Sequence, residues 1–241
     1  MSEFNEKAIN HDVGRAIHHY EMIADGDRIL VGVSGGKDSL TLLWLLKKRL
    51  ARIPIHYSLS AVYVDPGFSD GFAEALAEWC RALDIELQVQ YTDFGVFAHS
   101  DKNRENPCFL CSRWRRKRIF EVAQSAGCNK IALGHHKDDI IETFFINMCY
   151  TGTMGTMCPV QPMFDGLFSI IRPLAFVDEH RITRFAADCQ FPEFVNPCPS
   201  AEISKRREIK TALDGLHGGK KKIKDNIFRS LSHINLEYML K

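Results

Sequence analysis

The sequence lacks the long apolar runs that would place it in a membrane. No stretch reaches the roughly eighteen apolar residues that a helix needs to cross a bilayer. The N-terminus, MSEFNEKAINHD, contains no apolar signal segment either. We therefore expect a cytoplasmic protein with no membrane partner. In that compartment the eight cysteines are expected to act as thiols, ligands or catalysts, not as disulfides.

Net charge, repeats and low-complexity segments are also missing. The 31 Lys and Arg residues balance 30 Asp and Glu residues, which leaves a net charge of +1. Overall electrostatics therefore neither require nor exclude a nucleic acid, and local clusters must decide. A chain of 241 residues with 45% hydrophobic residues can bury a full core. We expect one domain with appendages.

Two common phosphate-binding motifs fail at the most glycine-rich site, SGGKDS at residues 34–39. A Walker A motif needs four residues between a first glycine and the Gly-Lys pair, and Ser or Thr after the lysine. Val31 and Asp38 stand at those places. The dinucleotide fingerprint fails too, because Gly32, Gly35 and Gly36 have the wrong spacing.

The glycine loop nevertheless lies between a predicted strand and a predicted helix. Residues 29–33 form a short β-branched run, and residues 40–49 read as a helix. Adjacent glycines allow close backbone approach, and a helix start presents free N–H groups to an anion. The loop resembles the PP-loop of ATP pyrophosphatases, which implies ATP binding by Ser34, Gly35, Gly36, Lys37, Asp38 and Ser39.

Strands alternate with helices along the chain, which predicts an α/β fold with a parallel twisted sheet flanked by helices. Further strands are predicted at residues 59–64, 85–91, 130–133 and 168–171, and residues 151–163 are predicted to form a loop. The PP-loop resemblance implies the Rossmann-type fold of the adenine nucleotide alpha-hydrolases. We expect an N-terminal helical segment (1–27), an ATP-binding catalytic domain with the cluster cysteines (28–199) and a basic helical tail (200–241).

The carboxyl ends of parallel strands share one edge of a sheet, where ligands bind. Val64 and Asp65 end the second strand, and the PP-loop resemblance implies that they lie beside the adenine and ribose. Gly134 and His135 follow the fourth strand, where His135 either contacts phosphate or base or serves only in packing.

Three aspartates are candidate metal ligands at this edge. Asp38 is expected to hold Mg²⁺ or to order the loop. Asp138 and Asp139 either hold metal or cap the helix predicted from residue 140.

Cys108 and Cys111 form the one C-x-x-C pair, which fits a redox pair, a zinc site or an iron–sulfur site. Cys198, between two prolines, is the best third ligand, and Cys158 is a fourth candidate. The remaining cysteines are predicted to be small buried hydrophobes: Cys80, Cys128, Cys149 and Cys189.

Four features occur in the order found in TtcA-type tRNA 2-thiocytidine synthetases, and the match spans residues 13–207. They are SGGKDS, the C-x-x-C pair with trailing arginines, GHHKDD at 134–139, and Cys198. The resemblance implies ATP, Mg²⁺ and a [4Fe–4S] cluster held by Cys108, Cys111 and Cys198, with one iron open. The sequence departs where the family often has a second cysteine, because Pro199-Ser200-Ala201 follows Cys198. It also looks shorter than many members at both ends.

The implied activity is an ATP-dependent tRNA sulfurtransferase. It adenylates a pyrimidine carbonyl, with C2 of a cytidine favoured, and replaces the oxygen with sulfur. Catalysis would fall to Lys37, Asp38 and the three cysteines. Sulfur would arrive through the open iron or through a persulfide on Cys198 or Cys108. The resemblance also implies a sulfur donor, either a cysteine desulfurase or sulfide, and allows a homodimer.

Two basic clusters are candidate tRNA contacts. Residues 113–118 carry five cations with Trp114, and Phe109 lies nearby to stack on a base. Residues 205–207 and 220–224 would contact backbone phosphate or form an ordinary charged tail.

Three alternatives stay open from the sequence. One is another PP-loop ligase or amidotransferase, such as a lysidine-synthetase-like enzyme, although that chemistry needs no thiolate cluster. A second is a redox-sensing nucleotide-binding module. A third is a zinc-stabilised structural homologue.

Overall fold

A computed structural model describes residues 3–68, 71–195, 197–200 and 205–239. Within these residues a six-stranded sheet lies among helices. The strands are β1 Arg28–Gly32, β2 Ser58–Asp65, β3 Leu87–Tyr91, β4 Lys130–Leu133, β5 Val160–Met163 and β6 Phe168–Ile171. The helices are α1 Glu3–His19, α2 Lys37–Leu50, α3 Ala73–Ala82, α4 Phe94–Ala98, α5 Pro107–Ser125, α6 Lys137–Thr151, α7 Glu179–Asp188, α8 Lys205–His217 and α9 Lys221–Ser230.

The sheet confirms the predicted α/β class and corrects it at one edge. The strand order is β3-β2-β1-β4-β6-β5, with parallel pairs except for β5, which is antiparallel to β6. Residues 160–163 were expected in a loop. Only the short 3₁₀ turn Phe164–Gly166 joins β5 to β6, and a parallel crossover needs a dozen or more residues. Proline is tolerated in an edge strand, which is where Pro162 lies. In the sequence, however, a proline argues against a strand, so this strand was not predicted.

Helices α2 and α6 start earlier than expected, so Lys37–Ser39 and Lys137–Asp139 are helical. Gly36 (φ −75°, ψ 152°) and His136 (φ −112°, ψ −178°) have extended backbones and act as the N-caps. Helical geometry therefore begins directly after them. The polar residues that were expected to lie in loops occupy the first turns of α2 and α6. The backbone N–H groups there have no hydrogen-bond partner within the helix. Helix α5 likewise begins before the C-x-x-C pair, at Pro107.

Apolar side chains fill both faces of the sheet. The larger cluster joins α1, α2 and α7 to the sheet, and Ile9, Val13 and Ala16 of α1 are fully buried in it. The smaller cluster packs α5 against the opposite face. Helices α8 and α9 contact α6 through a separate set that includes Ile209 and Leu213. None of the described helices is long and apolar enough to cross a membrane.

Phe185 anchors α7 to α2. Its side chain is fully buried, and its ring centroid lies 5.3 Å from that of Trp44 and 5.9 Å from that of Phe191. We expect Phe185→Ala to lower the free energy of unfolding by about 3–5 kcal/mol, because truncation leaves a cavity. Urea unfolding measures this loss. Leu216→Ala, at an exposed position, should change it by less than about 0.5 kcal/mol. Equal stability of the two variants would contradict the assignment.

Candidate functional site

The carboxyl ends of β1, β2 and β4 surround a cavity of about 310 Å³, which we call the sheet-edge cavity. Several residues predicted from the sequence line it: Ser34, Asp38, Ser39, Val64, Gly134, His135 and Asp139. Asp65 is turned away, and its carboxylate accepts a hydrogen bond from the Gly67 N–H at 2.8 Å. The sheet edge therefore collects the glycine loop (residues 34–39) and the end of β4, as expected.

The glycine loop has a conformation that requires glycine at position 35. Gly35 has φ +79°, and a Cβ there would lie 2.5 Å from Cε2 of Phe72. The loop is tied by Ser39, whose hydroxyl oxygen accepts from the Ser34 N–H at 3.1 Å and donates to the Gly36 carbonyl at 2.9 Å. The local fold thus holds the chain open at the start of α2, where an anion can bind.

Gly134 allows the end of β4 to pack directly on this loop. A Cβ at this position would lie 3.0 Å from the Asp38 carbonyl carbon and from the Ser39 nitrogen. Such contacts are too close for any larger residue without movement of backbone. The close approach brings the first turn of α6 beside the first turn of α2.

Lys37 and Asp38 lie in a charged group that includes one residue missed by sequence reasoning. Lys37 Nζ is 3.2 Å from Asp38 Oδ1 and 3.2 Å from Glu179 Oε1. Glu179 is the first residue of α7, and the acidic pair Asp178-Glu179 after the last parallel strand was the available signal. Burial raises the pKa of Asp38, against the opposing charges of Lys37 and His136.

Asp38 is suited to a metal ion. Its Oδ1 atom is buried and accepts no hydrogen bond from the described residues, although the Lys37 ammonium is close. A buried carboxylate oxygen with spare capacity is the ligand that Mg²⁺ prefers.

The two aspartates after β4 face different ways. Asp139 forms a capping box with His136 through its Oδ2 atom and lines the sheet-edge cavity. Its Oδ1 atom pairs with Arg206 at 2.7 Å. Asp138 lines a second, small cavity of about 20 Å³ between α6, α8 and α9. Its oxygens contact the Glu179 N–H and the Lys224 ammonium. The capping expected from the sequence is therefore seen at Asp139, and metal binding by either aspartate stays a prediction.

His135 is kept neutral mainly by burial, and a buried arginine fixes its tautomer. The Arg172 Nε–H donates to His135 Nδ1 at 3.3 Å. Burial lowers the pKa of His135 to about 4, and burial also lowers the pKa of Arg172 to about 10. With Nδ1 accepting, the neutral ring carries its proton on Nε2 and can donate to an oxygen. Arg172 follows β6 at the same sheet edge and was missed by sequence reasoning.

The structure brings the three predicted cysteine ligands together. Ser200 Oγ lies 3.3 Å from Cys108 Sγ and 3.5 Å from Cys198 Sγ. Burial raises the pKa of the Cys111 thiol, Arg115 opposes this, and the Cys198 and Cys108 thiols raise it further. We call Cys108, Cys111 and Cys198 the thiol pocket. Ala201 lies outside the described residues.

His99 also reaches the thiol pocket, although no sequence signal singled it out. Its Nε2 atom is 2.8 Å from Ser200 Oγ and 3.9 Å from Cys198 Sγ. No three metal-ligating side chains in the described ranges are close enough to hold a single ion. Cysteine thiolates are the ligands that hold iron–sulfur clusters, so the three thiols of this pocket fit such a group.

The other cysteines correct one prediction. Cys80 and Cys128 are buried as expected, but Cys149 is exposed and Cys189 is only half-buried. Cys149 belongs to the last turns of α6, where an apolar sequence extends beyond the core. Cys158 is exposed, and its carbonyl accepts from Arg172.

The basic run on α5 points in several directions. Arg115 lines the sheet-edge cavity. Trp114 packs on Phe94 and Phe97, with ring centroids 5.4 and 5.2 Å away. Phe109 remains 58% exposed beneath the Arg113 guanidinium. Exposed cations on this helix are Arg113, Arg116 and Lys117.

Two cations of the second basic cluster face inward, whereas the others are exposed. Arg206 pairs with Asp139 and with Glu142, at 2.7 and 3.1 Å. Lys224 pairs with Asp138 and Asp178. These two side chains are therefore part of the protein's own charge network.

Comparison with known families identifies the class. Residues 6–197 match the PP-loop domain family. The chain is a PP-loop protein, and ATP binding through the PP-loop follows from that family.

Sequence relatives give the narrower family. The chain is 36% identical over 238 residues to a tRNA-cytidine(32) 2-sulfurtransferase of Geobacter sulfurreducens, covering 97% of this chain and 92% of the relative. It is 40% identical over 237 residues to the protein of that name from Paracidovorax citrulli, covering 95% and 74%. The chain belongs to the family of tRNA-cytidine(32) 2-sulfurtransferases, which confirms the resemblance found in the sequence.

Solved structures confirm the fold. The U34-tRNA thiolase NcsA from Methanococcus maripaludis, solved with its [4Fe–4S] cluster, aligns with a TM-score of 0.77 at 24% identity, covering 97% of this chain and 79% of that one. The NH₃-dependent NAD synthetase of Campylobacter jejuni aligns with a TM-score of 0.53 at 15% identity, covering 96% and 91%.

Gly35→Ala tests the ATP loop. Left-handed backbone costs an L-residue about 1–2 kcal/mol, and the new methyl group must also displace Phe72. We expect ATP affinity to fall at least about tenfold, since 1.4 kcal/mol is a factor of ten. Titration with ATP measures it. Gly152→Ala is the matched control, because Gly152 has φ +65° with no atom near its added Cβ. Unchanged ATP affinity in Gly35→Ala would contradict the loop assignment.

Proposed function

We propose that this protein is an ATP-dependent tRNA sulfurtransferase that replaces the C2 oxygen of a cytidine, at position 32, with sulfur. One observation carries the proposal: Arg115 connects the sheet-edge cavity, where ATP would bind, with the thiol pocket. Its side chain lines the cavity, and it follows Cys111 by four residues, on the same face of α5. The names of the relatives supply the base and the position.

The activation step uses the residues around the ATP loop. The carbonyl oxygen of the base attacks the α-phosphorus of ATP, pyrophosphate leaves, and AMP becomes the leaving group in place of oxygen. Negative charge grows on the phosphates during this step. The loop N–H groups and Lys37 stabilise it. Asp38 and Asp139, which line the cavity, would hold Mg²⁺, whereas Asp138 lines the other, smaller cavity.

His135 suits the recognition of an oxygen in this cavity. Its neutral ring presents an Nε2–H donor, and Arg172 keeps the ring in that tautomer. The acceptor would be a phosphate oxygen or the base carbonyl.

The thiol pocket supplies the sulfur chemistry. Cys108, Cys111 and Cys198 would hold a [4Fe–4S] cluster, and this fold carries such a cluster in the archaeal thiolase. When bound, a cluster with three protein ligands offers an iron open to sulfide. Within α5, Cys111 of this pocket lies one helix turn before Arg115, which lines the sheet-edge cavity.

The tRNA would lie over the exposed face of α5. Arg113, Arg116 and Lys117 can contact phosphates, and Phe109 can stack on a base. A cysteine desulfurase or sulfide would supply sulfur, a homodimer is allowed, and the enzyme would act where tRNA is, in the cytoplasm.

Nucleoside mass spectrometry of bulk tRNA tests the reaction. Cells lacking the gene should lose 2-thiocytidine, and the intact gene should restore it. A gene carrying Cys108→Ala should not restore it, because that thiol belongs to the sulfur pocket. An unchanged nucleoside profile in the deletion strain would overturn the proposal.

Cys198→Ala tests the cluster. We expect protein purified and reconstituted without oxygen to lose most of its iron and acid-labile sulfide, while ATP affinity stays within about twofold. Elemental and sulfide analysis measures the first, and ATP titration the second. Cys149→Ala, at an exposed position far from the pocket, is the matched control. Full iron content in Cys198→Ala, or one zinc and no sulfide in the native protein, would contradict the cluster.

A further inference from the structure

Cations from the C-terminal helices meet carboxylates beside the ATP loop. Lys210 and Arg206 of α8 reach Glu179 and Asp139, and Lys224 of α9 reaches Asp138. These contacts join parts of the chain that are distant in sequence. The tail therefore borders the catalytic centre as well as the protein surface.

Glu179 is shared between the ATP loop and the tail. Its Oε1 atom is 3.2 Å from Lys37 Nζ, and its Oε2 atom is 2.5 Å from Lys210 Nζ. The Glu179 backbone N–H donates to Asp138 Oδ2 at 2.8 Å, which fixes the start of α7. Burial alone would raise the pKa of Glu179, but the two lysines hold it at about 2. The carboxylate is thus ionised and placed between two ammonium groups.

The pairing of Glu179 with two lysines affects how readily Lys37 can contact the phosphate oxygens of ATP. A lysine that must meet phosphate oxygens cannot be held tightly by a carboxylate at the same time. Glu179 with Lys37 as its one partner would form a half-buried ion pair and compete with ATP. A second ammonium on the opposite oxygen neutralises Glu179 and weakens its hold on Lys37, because the carboxylate's charge is then divided between two cations.

We propose that Lys210 is a positioning residue of the ATP site, which shares Glu179 with Lys37 and so leaves Lys37 available to the phosphates. The inference rests on the ATP-binding part of the proposed function. It assigns the tail a place in ATP binding, beyond the tRNA contact or charged tail expected from the sequence. Lys210 acts through Glu179 and does not touch the nucleotide.

The test compares single and double substitutions. We expect Lys210→Met to weaken ATP affinity about tenfold, in line with the loss of one charged hydrogen bond. Lys210→Arg keeps the charge and should stay within about threefold of native. In Glu179→Gln/Lys210→Met the Glu179 carboxylate is gone, Asp38 still pairs with Lys37 as in the native protein, and ATP affinity should return to within about threefold. Lys222→Met, exposed on α9, is the matched control and should bind ATP normally.

The readouts separate positioning from folding. ATP titration of protein without tRNA gives affinity, and ATP-dependent pyrophosphate release gives KM and kcat. We expect Lys210→Met to raise KM for ATP, with kcat changed less than threefold. A merely structural role would lower melting temperature and would not be repaired by removing Glu179. Native ATP affinity in Lys210→Met, or no recovery in the double variant, overturns the proposal.

If the single variant Lys210→Met folds poorly, the same substitution in the Glu179→Gln background still tests the proposal. In the Glu179→Gln background, adding Lys210→Met must then have no effect on ATP affinity, and a further loss overturns the proposal. Because these titrations need no tRNA, failure of tRNA thiolation would overturn the proposed function and leave this inference standing.

Discussion

The site depends on the close approach of two backbone segments, the end of β4 and the start of α2. Gly134 permits it, since a Cβ there would lie 3.0 Å from the Asp38 carbonyl carbon. This approach places the first turns of α2 and α6 side by side, so that Asp38 and Asp139 line one cavity. Several like charges then share a half-buried space, and cations must be brought to them. Lys37, Arg206, Lys210 and Lys224 meet that need, three of them from the C-terminal helices.

Helix α5 sets the relation between sulfur and nucleotide. Cys108 and Cys111 lie in its first turn, which Asn106 caps by accepting the Phe109 N–H at 3.1 Å. Arg115 follows Cys111 by four residues and so projects from the same face of the helix. A rigid helix therefore holds a thiol and a cavity-lining cation at a constant separation. Loop motion cannot easily change the distance between the two chemistries.

The sequence predicted those features that depend on local pattern. Short apolar runs between turn signals predicted β1, β2, β3, β4 and β6. The C-x-x-C pair and Cys198 predicted a group of thiols, which the structure brings together. What was missed depends on contacts between distant residues. Glu179 meets Lys37 across 142 positions, and Arg172 meets His135 across 37. Strand β5 has four residues including a proline, too few for a period to show. Cys149 looked buried because its helix stays apolar past the edge of the core.

The antiparallel strand β5 has a consequence for assembly. It forms one outer edge of the sheet, and such edges can recruit a strand from another molecule. Pro162 has no N–H to offer, and Gln161 and Pro162 are exposed. A strand added alongside β5 would lack the hydrogen bond that a backbone N–H at position 162 would donate. Copies of this chain that associate must therefore do so through helix surfaces or through β3, and a continuous intermolecular sheet at β5 is disfavoured.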